Sequence, residues 1–141
     1  MCVSALNSGD ALAKFREWIK AQGGDARSID TPWLFPTAKF VREIVANEDG
    51  YVTAMNTERI GSAAVVLGAG RITKSDEIDY SAGLRILKKT GDYVMKGEAL
   101  AEIYTNNESS LDTAEGVYRD AVTLGQKPAR ELPLIYKVIR K

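Results

Sequence analysis

The chain has 141 residues, the size of one ordinary domain, able on the usual scaling to bury roughly 68–70% of its unfolded surface. Nineteen basic and nineteen acidic residues cancel, and neither sign forms a block, which excludes the electrostatic footprint of a nucleic-acid or lipid-surface binder. Cys2 is the only cysteine, so no internal disulfide framework exists and a reducing, cytoplasmic setting is expected. MCVSALNSGD lacks the apolar run of a secretory leader, and the longest apolar run, 63–67, falls far short of the ~20 residues a bilayer needs.

Val3 and Leu6 read as the last turn of a helix whose earlier turns lie upstream, followed by Asn7, Ser8 and Gly9 as stop and restart signals. A second helix is expected over 10–22, capped by Ser8, with Leu12, Phe15, Trp18 and Ile19 forming an apolar stripe, and with Gly23 and Gly24 ending it. Pro32 and Pro36 then interrupt any helix, and Trp33, Leu34 and Phe35 between them are expected to anchor a linker against the core. Residues 40–45 and 51–55 are strand-like, and NEDG between them signals a hairpin or tight turn. Thr57 is a fair cap for a helix over 58–67, where Ile60, Ala63, Ala64 and Leu67 follow helical spacing, and that helix is expected to be buried. Strands are expected at 84–88 and 99–104, separated by turns at Gly91-Asp92 and Lys96-Gly97. A last helix over 109–124, capped by Asn107, puts Leu111, Ala114, Tyr118 and Ala121 on one face. Leu134, Tyr136 and Val138 alternate as a closing strand. Segregated helices and short, mostly hairpin-linked strands predict an α+β fold.

Chemistry is hard to assemble from these residues. There is no histidine, hence no ready neutral-pH base and no Ser-His-Asp or Cys-His arrangement. Gly68-Ala69-Gly70-Arg71 suggests a phosphate cradle, but a phosphate loop precedes a helix, whereas these glycines follow one, where carbonyls point outward. The expected role is a helix stop, with Arg71 free to pair with Asp76, Glu77 or Asp79. Those three acids match no calcium loop, and Asp76 with Asp79 lacks the aromatic platform of a sugar hydrolase. Catalytic, cofactor-binding and metal residues are therefore expected to number none.

The ordered segments GYVTAMNT (50–57), GSAAVVLGAGR (61–71), DEIDYSAG (76–83), GDYVMKGEALAEIY (91–104) and LPLIYKVI (132–139) resemble the C-terminal domain of the thymidine and pyrimidine-nucleoside phosphorylases. That resemblance implies a parent enzyme, a homodimeric pentosyltransferase binding pyrimidine nucleoside and phosphate through an N-terminal region outside this chain. KFREWIKAQGGD (14–25) is similar to the last helix of the family's catalytic domain, so 1–30 would be a remnant of that domain plus linker and 31–141 the C-terminal domain. The implied fold is barrel-sandwich or hammerhead-like with packed helices. By itself the chain would be inactive, contact neither nucleic acid nor membrane, and self-associate through its N-terminal helix. The pattern from Gly91 to Ile103 also resembles biotinyl and lipoyl carrier domains, an alternative that needs an exposed lysine at a hairpin tip. Ala54-Met55-Asn56-Thr57 carries Asn56 where that lysine would stand, and Lys88 and Lys89 read as a solvated pair at a strand end. Val94, Leu100 and Ile103 would fill the core in either case.

Overall fold

A computed structural model describes residues 2–130, 133 and 135–140. The chain divides into two compact units, Met1–Pro36 and Thr37–Lys141. In the first, α1 (Cys2–Ser8) is followed by α2 (Asp10–Ala21). Ser8, expected as the cap of α2, does not hold that position: the cap is Gly9, with no side-chain cap bond, while the Ser8 hydroxyl donates to the Asp10 carboxylate at 2.7 Å and accepts from the Asp10 amide at 3.4 Å. The end of α2 closes in paired backbone bonds, Gly23 N–H to the Lys20 carbonyl at 3.0 Å and Gly24 N–H to that of Ile19 at 2.9 Å. This reversal puts Gly23 at φ 79, the left-handed conformation glycine adopts without steric cost.

Two short 3-10 turns follow, Ala26–Ile29 and Pro32–Leu34. Asp25 caps the first by accepting from the Arg27 amide at 2.9 Å, and Arg16 forks onto Asp30 at 2.6 and 2.7 Å. The expectation that Trp33, Leu34 and Phe35 anchor a linker fails. All three are exposed, Trp33 by 76%, on a turn bracketed by Pro32 and Pro36.

That second unit is α+β, with two three-stranded antiparallel sheets. Strand β1 (Phe40–Val45) pairs with β5 (Ala99–Thr105), whose other edge carries β3 (Gly83–Ile86); in the other sheet β2 (Gly50–Met55) lies between β4 (Tyr93–Val94) and β6 (Val122–Gly125). NEDG is therefore a turn but not a hairpin: it carries the chain from one sheet to the other. The reason lies in who satisfies the backbone. Ala46 exchanges bonds with the 97–98 turn (2.9 and 2.8 Å), and Val52 does the same with Gly91 and Asp92 (2.8 and 2.9 Å). Asp49 also accepts from the Lys96 amide at 2.6 Å, so both flanks of the turn are taken by segment 91–98 and neither is left for the other.

Helix α3 (Thr57–Ala64) is capped by Asn56, whose side-chain oxygen accepts from the Arg59 amide at 3.1 Å; Thr57, expected as the cap, is the first helical residue. Beyond Ala64 the helix widens into a π turn, Val65–Ala69, broken by Gly68 at φ 110. Ile60, Ala63 and Leu67 are buried as expected, while Ala64 is only half-buried. Helix α4 (Leu111–Ala121) packs against α3 and buries Leu111, Ala114, Tyr118 and Ala121, the face its spacing predicts. It stops at Ala121, three residues earlier than expected, because Val122–Gly125 pairs with β2, Met55 facing Val122 and Val52 facing Leu124.

Strand β3 ends at Ile86, two residues short of the expected end, where the Leu87 and Lys88 amides converge on the Leu100 carbonyl at 2.9 and 3.1 Å. No closing strand is found among the described residues. Leu134 lies outside the described residues, and Tyr136 and Val138 are exposed with no ladder partner; alternation supplies two faces, but only a neighbouring edge makes a strand.

Candidate functional site

The richest polar cluster surrounds the loop that follows α3. Its neck is closed by the Asp79 amide donating to the Gly68 carbonyl at 2.9 Å. The glycine run thus presents carbonyls, one at Leu67 accepting the Thr105 hydroxyl at 2.8 Å and one at Gly68 accepting Asp79. A phosphate would need N–H donors there. A side chain at Gly68 would approach Cβ of Asp79 at 3.5 Å and of Ala82 at 3.6 Å, and φ 110 itself disfavours one.

Asp79 accepts from the Ser81 amide at 2.9 Å, the Ser81 hydroxyl at 2.7 Å and the Asn106 side-chain amide at 2.8 Å. These donors, Ser81 foremost, hold its carboxyl below the usual carboxylate range. Asn106 in turn donates to Ser81 Oγ at 2.8 Å and accepts from the Lys39 amide at 2.9 Å. One side chain therefore ties the approach to β1, the end of β5 and the loop neck together. The sequence reading missed it. An amide pair, Asn106-Asn107, directly after an apolar strand is the signal that could have found it.

Asp76 works locally, accepting from the Ile72 amide at 2.9 Å and from the amide and hydroxyl of Thr73 at 2.8 and 2.6 Å. The Thr73 donors do most to hold its carboxyl below the usual carboxylate range, with Arg71 a minor electrostatic contributor. Arg71 forms no ion pair among the described residues. Asp76 and Asp79 are each engaged by their own turn, and Glu77 is exposed. Among the described residues no three such side chains gather around a point that could hold a metal.

The lysines correct one expectation. Lys88 is not solvated: its side chain is 22% exposed, ion-paired to Glu98, and donates to the Tyr93 carbonyl at 3.2 Å. Glu98 is held acidic first by that ammonium and then by the Met95 amide at 3.0 Å. Lys89 is exposed. Asn56, at the position a carrier would give its lysine, is occupied as the cap of α3. A second ionic group, missed from sequence, links Arg42 to Asp112 at 2.6 Å and Glu115 at 3.2 Å, and Arg119 to Glu115 and to the Val45 carbonyl at 2.8 and 2.9 Å. It joins β1 to α4. The Asp79–Asn106, Lys88–Glu98 and Arg42–Glu115–Arg119 groups each link separate segments, whereas the Asp76 bonds stay within their own turn.

The chain is matched from Tyr51 to Gly125 by the family model of the pyrimidine nucleoside phosphorylase C-terminal domain. The chain belongs to that family. It is 42% identical over 139 residues to a pyrimidine-nucleoside phosphorylase of Geobacillus stearothermophilus, covering 99% of this chain and 32% of the relative. Over 115 residues it is 44% identical to the pyrimidine-nucleoside phosphorylase of Staphylococcus aureus strain USA300, covering 82% of this chain and 27% of the relative. The chain thus spans about a third of the length of the curated relatives it matches. Within the phosphorylase C-terminal domain the matched span takes in β2 through β6 with α3 and α4, so the Gly68 loop and its Asp79 neck lie inside it.

Proposed function

We propose that the protein to which these 141 residues belong catalyses reversible phosphorolysis of pyrimidine nucleosides, thymidine, uridine and deoxyuridine among them, to the free base and a pentose 1-phosphate. The reading is carried by 42% identity along 99% of the chain to a protein named for that activity. In the reaction inorganic phosphate attacks the anomeric carbon as the bond to the base breaks, the bonding pair leaving with the base. The enzyme must position an anion and stabilise a cationic sugar and its leaving group. This chain offers no histidine, and its most polar clusters are spent on joints. Its role in our reading is architectural, with no catalytic, cofactor or metal residue of its own.

We further read 1–30 as belonging with a larger catalytic domain and 31–141 as the C-terminal domain. The two sheets we read as a barrel-sandwich, supported by the reciprocal backbone links at Ala46 and Val52. The whole enzyme would be a cytoplasmic homodimer; no helix among the described residues is long and apolar enough to cross a membrane. Without the rest of the enzyme, the exposed Leu12, Phe15 and Trp18 of α2 would drive self-association.

The test is a chimera in which this chain replaces the matching third of the Geobacillus stearothermophilus relative. Phosphate-dependent release of thymine or uracil is expected from the chimera and none from the chain alone. A folded but inactive chimera beside an active parent would overturn the proposed activity, and release by the isolated chain at the rate of the intact relative would overturn its architectural role.

A further inference from the structure

We draw no further inference here: the strongest candidate, the surface loop clasped between Gly68 and Asp79 that presents Arg71, Ile72, Lys74 and Tyr80 to solvent, carries nothing, because every residue lining its open depression is at least partly exposed and nothing in the structure shows what covers it.

Discussion

Leu67 has 1% of its surface exposed and sits in the π turn between α3 and the loop neck, in the same hydrophobic cluster as Ile103 and Ala114. Truncation to Ala should cost about 2–5 kcal/mol through lost transfer energy and an unfilled cavity. Lys89→Ala, at an exposed side chain, should change stability by no more than about 0.5 kcal/mol. Urea melts of the two variants give the comparison, and a harmless Leu67→Ala would mean that the α3 face does not support the core. Asn106 makes a different kind of contribution, since its amide satisfies one donor and two acceptors on two other segments. Asn106→Ala should cost about 0.5–1.5 kcal/mol, the net worth of an ordinary hydrogen bond in a partly solvated place. It should also speed hydrogen exchange at the Lys39 amide selectively. Unchanged exchange at Lys39 would show that the bond is not formed in solution.

At the scale of the element, α2 differs from α3 and α4. All three are amphipathic, but α2 has no buried residue, whereas α3 and α4 bury theirs against each other and the sheets. A helix of 12 residues is marginal by propensity alone and depends on covering its apolar face. Amide exchange over 10–22 should therefore be weakly protected in dilute solution and become more protected as concentration rises. Strong protection independent of concentration would remove the case for self-association. The boundaries of α4 and β6 teach a related lesson about elements. The spacing of Leu111, Ala114, Tyr118 and Ala121 was sufficient to find the buried face of α4. The end of the helix was not legible, because Val122 and Leu124 satisfy a helical stripe and a strand alternation equally well, and pairing with β2 decides between them.

Across the whole second unit, charge is arranged so that carboxylates accept hydrogen bonds in the folded state. Asp76, Asp79, Glu98 and Glu102 are all held below the usual range, led by Thr73, Ser81, Lys88 and Tyr104 respectively. A depressed folded-state value means that the unfolded chain takes up protons first as pH falls. The stability from these groups is complete above the ordinary carboxylate range and is lost as pH drops through their folded values. Urea midpoints should be level above about pH 5 and decline toward about pH 2, and the decline should be shallower in an Asp79→Asn, Glu98→Gln double variant. An identical decline in that variant would place the acid sensitivity elsewhere. By itself the sequence determined the α+β class, the buried faces of α3 and α4, the placement of Val94, Leu100 and Ile103 in the core, and the family, because hydrophobic periodicity and turn chemistry are local properties. Tertiary structure alone decided that β1 and β2 belong to different sheets, that Lys88 is paired, that Trp33 faces outward, and that Asn106 joins its own segment to two others. The sheet assignments and the Asn106 bonds depend on backbone edges and polar groups tens of residues away in the chain, and which groups meet is decided only in the assembled packing.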